Sequence, residues 1–265
     1  MKRTPIRTHS KQPRLTLVGA GPGDPELLTL KGMKILQQAD VVLYDALAND
    51  ELLTYAPSTS PKLYVGKRAG LHYASQEQIN RMIVRSAYRY GHVVRLKGGD
   101  PYIFGRGHEE QIYAERAGIS TEVIPGISSA YAVPALQHIP LTKRGVSESF
   151  WIVTGTTRSG QLSDDVALAA QSTATVVILM GMSKLAAIQQ VFAEHGKSDK
   201  PVAIIQNGSL PQEKISICQV HNLAATAVEQ ALTSPAIIVI GEVVNERFSA
   251  VLTNEIMDQV QYAHA

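Results

Sequence analysis

The 265-residue chain has one cysteine, Cys218, and so can form no internal disulfide. No metal-ligand spacing surrounds it, and a small buried hydrophobe is the simplest role for it. Such scarcity fits a reducing, cytoplasmic setting. No apolar run approaches the ~20 residues of a membrane-spanning helix. Residues Met1 to Arg14 are basic and polar, with Pro5 and Pro13, and lack the apolar centre of a signal peptide. They read as a disordered tail. A net charge of +2 is too small for a general nucleic-acid binder. Internal repeats and a Walker-type phosphate loop are also missing. With 45% apolar and 18% charged residues, the composition excludes disorder and allows a substantial core.

What is present is an alternation of short β-branched runs with helical periodicity. Leu15–Val18, Val41–Tyr44, Leu63–Val65, Val93–Leu96 and Thr121–Ile124 read as strands. Between them, Asp24 and Pro25 open a helical pattern through Ala39. Gln76–Tyr90 carries Ile79, Ile83 and Ala87 four apart, and Glu109–Ala117 reads as a further helix. This alternation predicts an α/β fold, its sheet parallel or mixed and covered by helices on both faces. After a small-residue helix from Pro125 to Ala135, the stretch 139–148 is polar and breaker-rich, so a linker is expected there. It separates an N-terminal domain, 15–138, from a C-terminal one, 149–250, with a tail at 251–265. The second half has strands at Phe150–Thr154, Val176–Met180, Val202–Gln206, Lys214–Val220 and Ala236–Gly241. Helical patterns fall at Ser183–His195 and Leu223–Leu232. Several strands are consecutive, which predicts a mixed sheet.

In open α/β sheets, ligands sit beyond the carboxyl ends of strands. The unusual residues cluster there: Gly19–Asp24, Asp45, Lys67-Arg68, Gly98–Glu110, Met180-Gly181 and Asn207-Gly208. Six such ends, spread over both halves, predict a site in a cleft between two domains. The richest runs from Arg95 to Glu110, where four glycines, Asp100 and Arg106 follow an apolar strand. Glycine allows close backbone approach to a ligand. Gly19-Ala20-Gly21-Pro22-Gly23 departs from the dinucleotide fingerprint, since its third glycine comes two residues after the second and Asp24 follows. An adenosine-containing ligand without phosphates fits better. Asp45 suits a turn former as well as a functional carboxylate. Lys67, Arg68, Arg106, Lys143 and Arg144 would together suit a polyanionic small molecule. His108, Glu109 and Glu110 do not make a metal site, because acids in a first helical turn favour the dipole. Met180 ends an apolar run and reads most simply as core, with its strand-end position the reason to keep it as a candidate.

In order and spacing, Gly19-Ala20-Gly21-Pro22-Gly23-Asp24-Pro25, Tyr44-Asp45, Gly66-Lys67-Arg68, Arg95 to Glu110, Pro125-Gly126, Ile139-Pro140-Leu141-Thr142 and Met180-Gly181 resemble the tetrapyrrole methylase family. The likeness is nearest to members acting on uroporphyrinogen III and covers Leu15 to about Val244. It implies two α/β domains, S-adenosylmethionine in the cleft, no metal and a homodimer. It also implies methylation of C2 and C7 of uroporphyrinogen III, giving precorrin-2 on the route to sirohaem or cobalamin. By position, Pro22, Gly98, Gly99, Asp100, Ile103, Ser128, Ser129, Met180, Gly208 and Ala236 would line the cofactor. Asp45 would match the family's proton acceptor and Lys67 its donor, while Arg106, Arg68 and Arg144 would meet substrate carboxylates. Ser128-Ser129, Lys143 and Thr156 depart from the usual family residues. The length leaves no space for the dehydrogenase–chelatase module of some relatives, so a stand-alone methylase is expected. The alternatives are a family methylase acting on a later precorrin and a non-catalytic tetrapyrrole-binding protein.

Overall fold

The computed structural model describes residues 12–66 and 75–247. The chain divides between Ser128 and Ser129 into two compact units, each built on its own sheet.

The first sheet contains β1 (Arg14–Gly19), β2 (Val41–Tyr44), β3 (Lys62–Tyr64), β4 (His92–Lys97) and β5 (Ser120–Ile124) in the order β3-β2-β4-β1-β5. Every pairing is parallel. Parallel strands are covered on both faces, which is why β2 reads as a continuous apolar run. Side chains alternate between two cores. Val18, Val42, Val94 and Leu96 pack with Leu36 of helix α1 (Leu30–Leu36). Leu15, Leu17, Val41, Leu43 and Val93 pack with Ile83 and Ala87 of α2 (Gln76–Tyr90) and Ala114 of α3 (Gly107–Arg116). The Ser75 hydroxyl and Gln78 side chain form a capping box at the start of α2. Asp24 caps only the 3₁₀ turn Pro25–Leu27, and α1 begins later, at its own cap Thr29, because Leu28 is extended.

In the second unit, α4 (Ser129–Leu136) is followed by β6 (Phe150–Thr154), α5 (Asp165–Gln171), β7 (Thr175–Leu179), α6 (Leu185–Glu194), β8 (Pro201–Gln206), β9 (Lys214–Gln219), α7 (Leu223–Glu229) and β10 (Ala236–Ile240). The sheet order is β6-β7-β10-β8-β9, with β6 and β7 parallel and the other pairs antiparallel, the mixed sheet expected. Helix α4 buries Ala130 and Val133 with Val177, Ile205 and Val239 of this sheet. That packing puts the division of the chain ahead of the expected linker at 139–148. Among the described residues, no helix is long and apolar enough to cross a membrane.

His92 starts the central strand of the first sheet and is buried. Its Nε2 lies 2.9 Å from Thr16 Oγ1, and its Nδ1 lies 2.9 Å from the Arg14 guanidinium and 3.1 Å from Gln38 O. Burial pushes its pKa below the ordinary 6.5, although the Gln38 carbonyl works the other way. The folded state therefore binds fewer protons than the unfolded state between the native value and 6.5. Stability contributed here is present above pH 6.5 and is lost as pH falls toward the native value. The thermal midpoint is expected to drop between pH 7 and pH 5, and His92→Gln is expected to flatten that slope. An unchanged slope in calorimetric melts of the variant would remove His92 from the account.

Candidate functional site

Three loops leave the carboxyl edge of the first sheet side by side: after β1 (from Ala20), after β4 (from Gly98) and after β5 (from Pro125). Their backbones touch. A Cβ on Gly19 would lie 2.4 Å from Gly126 Cα and 2.7 Å from Gly99 O, and one on Gly126 would lie 2.3 Å from Gly99 O. Gly21 and Gly99 exchange backbone hydrogen bonds of 3.3 and 2.7 Å. Asp100 fastens the assembly, its Oδ2 accepting from Gly126 N at 2.9 Å and its Oδ1 from Tyr102 N at 2.7 Å. The glycines expected to admit a ligand thus mostly admit one another. Gly105 and Gly107 likewise make room for the Pro101 carbonyl. The exception is Gly99. Its φ is +64°, and the space where a Cβ would stand is open to 4 Å. Pro22, Gly98 and Ile103 lie half-buried around these loops, and Ser128 is buried.

Asp45 continues β2 at the same edge. Its Oδ1 accepts from Leu47 N at 3.2 Å, the turn-forming role, and lies 3.5 Å from Gly98 N. Its Oδ2 accepts from Arg95 Nη2 at 3.1 Å. Behind that bond stands a cluster that the sequence reading missed. Arg95 Nε lies 3.4 Å from both Glu110 oxygens, and Lys97 Nζ and Gln76 Nε2 donate to Glu110 Oε1 at 3.1 and 3.2 Å. The side chains of Arg95, Lys97 and Glu110 are 3%, 5% and 1% exposed, while that of Asp45 is 24% exposed. Glu110 is therefore a buried ion-pair partner, beyond the helix-dipole role expected of it. Burial holds the Lys97 ammonium below its usual pKa, Arg95 adding to the effect. The available signal was charge at two alternate positions, Arg95 and Lys97, with apolar Val94 and Leu96 beside them in the strand. Such charges must find partners inside.

Arg106 and Arg144, two of the substrate-side candidates, are solvent-facing. Arg106 has a left-handed backbone, φ +60°, and its guanidinium grips Glu109 through Nε at 2.9 Å and Nη2 at 2.7 Å. Both side chains are more than half exposed. Arg144 is exposed on the turn after Lys143. Lys67 and Arg68 lie outside the described residues.

In the second unit, β6, β7 and β8 end at one edge, where β10 begins. This brings together Met180 after β7, Gly208 after β8 and Ala236 at the start of β10, which pairs with Gln206. Met180 is half exposed with φ +56°, which corrects the expectation that it is core. Strain at a bulky strand-end residue marks positions held for a purpose. The Thr156 hydroxyl donates to Met180 O at 2.8 Å and helps hold it. Gly208 makes room for Val133 of α4, whose side chain would lie 2.3 Å from an added Cβ. Ser129 opens α4. Among the described residues, no three His, Cys, Asp or Glu side chains gather as a metal site.

Residues 14–224 match the family model for tetrapyrrole (corrin/porphyrin) methylases. A uroporphyrinogen-III C-methyltransferase of Methanocaldococcus jannaschii is 44% identical over 88% of this chain and 97% of its own. A sirohaem synthase of Escherichia coli is 44% identical over 88% of this chain, which spans 50% of that longer protein. The crystal structure of a Thermus thermophilus uroporphyrin-III C-methyltransferase complexed with S-adenosylhomocysteine superposes with a TM-score of 0.76 at 39% identity, covering 88% of this chain and 99% of that one. A cobalt precorrin-4 methyltransferase superposes with a TM-score of 0.77 at 27% identity, covering 87% and 95%.

Contact between the three loops predicts the effect of a single methyl group. Gly126→Ala is expected to destabilise the first unit by about 3 kcal/mol, at the upper end of overpacking costs. Gly160→Ala, where an added Cβ meets nothing within 4 Å, keeps that space open and loses only the ~1–2 kcal/mol of a left-handed alanine. Equal melting temperatures for the two variants would contradict the packing account.

Proposed function

The chain belongs to the tetrapyrrole methylases, and on that premise we propose that it transfers two methyl groups from S-adenosylmethionine to C2 and C7 of uroporphyrinogen III, giving precorrin-2. The observation that carries the reading is the juxtaposition at one sheet edge of an open backbone position, Gly99, with a carboxylate, Asp45, whose two oxygens are both held. Nearly full-length similarity to the archaeal methyltransferase and the Thermus enzyme narrows the substrate to uroporphyrinogen III. This chain spans about half the length of the sirohaem synthase it matches, so only the matched half of that protein bears on it.

The residues present fit the cofactor. The open space over Gly99 lets a flat or extended ligand lie against backbone. Pro22, Gly98, Asp100, Ile103 and Ser128 would hold it in the first unit, with Asp100 acting by fixing the loop. Ser129, Met180, Gly208 and Ala236 would do so in the second. When bound, S-adenosylmethionine supplies an electrophilic methyl group on a sulfonium sulfur.

The nucleophile, an electron-rich pyrrole carbon of a reduced macrocycle, needs little activation. The protein's contribution is then mostly positioning, which can supply roughly 7–11 kcal/mol. Asp45 faces the positive charge that develops on the ring and accepts a proton as the π-system rearranges. Lys67 is assigned the proton-donor role. Arg106 exchanges Glu109 for a substrate carboxylate, an exchange of small cost because the existing pair is exposed. Arg68 and Arg144 add positive charge for the remaining carboxylates. A cytoplasmic homodimer completes the reading.

Incubation with S-adenosylmethionine and uroporphyrinogen III is expected to give a product carrying two added methyl groups by mass spectrometry. No methylated product, or a singly methylated end product, would overturn the assignment. Asp45→Asn is expected to lower kcat by about 10²–10⁴-fold with S-adenosylhomocysteine binding retained, and full activity would end its role as proton acceptor. Gly99→Ala is expected to fold and to weaken S-adenosylhomocysteine about tenfold, the effect of ~1.4 kcal/mol, in calorimetric titration.

A further inference from the structure

We infer that Arg95 is a positioning residue that aims the Asp45 carboxylate, and that Glu110 holds Arg95 in place from inside the first unit. The inference rests on the catalytic reading of Asp45 above.

Arg95 stands on β4, the central strand, directly beside Leu43 of β2 in the parallel register. Asp45 lies two residues beyond Leu43 on the same face. A guanidinium on β4 therefore reaches the first side chain past the end of β2 without bending either strand. Its donors are committed. Nη1 donates to Leu96 O at 2.8 Å and lies 3.5 Å from Leu43 O, Nη2 donates to Asp45, and Nε faces Glu110. A planar fork fixed at these points offers Asp45 Oδ2 one direction of approach.

Glu110 comes from the first turn of α3. Lys97 and Gln76 occupy its Oε1, and its Oε2 accepts no hydrogen bond from the described residues, lying 3.4 Å from Arg95 Nε. Two cations and two carboxylates leave the cluster formally neutral. For stability alone, apolar side chains of similar volume would serve as well or better, because desolvating ion pairs is costly. What distinguishes this cluster is its exposure. Of its four charged members three are sealed, and the fourth, Asp45, opens to the edge where Gly99 stands. A buried network ending on one accessible carboxylate is the pattern of a rigid support for a reacting group.

A double-variant cycle in the full chain tests this, with kcat, KM for uroporphyrinogen III and S-adenosylhomocysteine affinity measured for Arg95→Lys, Glu110→Gln, Asp45→Asn and the pairs. Arg95→Lys is expected to lower kcat by about 10²-fold, as a misplacement near 1 Å does, with cofactor affinity and KM within about twofold of the parent. Combined with Asp45→Asn it is expected to add little further loss, since both act through one carboxylate. Glu110→Gln is expected to give a smaller loss of kcat of the same kind. It serves as the test if Arg95→Lys does not fold. Full kcat in folded Arg95→Lys, or losses that multiply in the double variant, would overturn the inference and leave Asp45 as catalytic. Full kcat in Asp45→Asn alone would instead remove the catalytic reading and the inference with it.

Discussion

Backbone contact between Gly19, Gly99 and Gly126 fixes the carboxyl edge of the first sheet. Three parallel strands end there, and parallel pairing alone would let their loops splay. With no side chain at these positions, the loops close to the distance of main-chain atoms, and Asp100 ties two of them together. A floor results in which one residue, Gly99, keeps an open face. The positions of Pro22, Gly98 and Ile103 follow from that closure.

A second constraint, electrostatic, operates on the α2–α3 side of the same edge. Charges on a central parallel strand cannot reach water, so Arg95 and Lys97 must be answered from the covering helices and the neighbouring strand. Glu110 and Asp45 answer them, and Gln76 adds a further donor to Glu110. The charged side chain that remains accessible is the carboxylate that the proposed chemistry uses. Packing and charge thus converge on one small region, the glycine floor beside a held acid.

Much of this was legible in the sequence. Strands such as Val41–Tyr44 and Val202–Gln206 announce themselves as β-branched runs, and Ile79, Ile83 and Ala87, four apart, mark α2. Strand-end punctuation located the candidate residues, because parallel sheets put function at carboxyl ends. Contacts that depend on register were not legible. The glycines of the 98–107 loop suggested ligand approach, whereas most serve loop-to-loop or within-loop packing that only the fold reveals. Glu110 looked like a helix-dipole acid, since its burial against β4 depends on how α3 lies on the sheet. Met180 closes an apolar run, yet its left-handed backbone turns it outward. Helix α5, seven residues rich in alanine, is too short for a clear period. The division at Ser128 was hidden because α4 is claimed by the second sheet through Ala130 and Val133.

Relatives of this chain act on uroporphyrinogen III, and one has been crystallised with S-adenosylhomocysteine. With the glycine floor as the cofactor surface, Asp45 stays uncovered beside it. A crystal structure of this chain with S-adenosylhomocysteine tests both at once. The ligand is expected against the Gly99 backbone, with the Asp45–Arg95 bond intact and the carboxylate accessible. A ligand bound away from Gly99, or one that covers Asp45 or breaks its bond to Arg95, would contradict it.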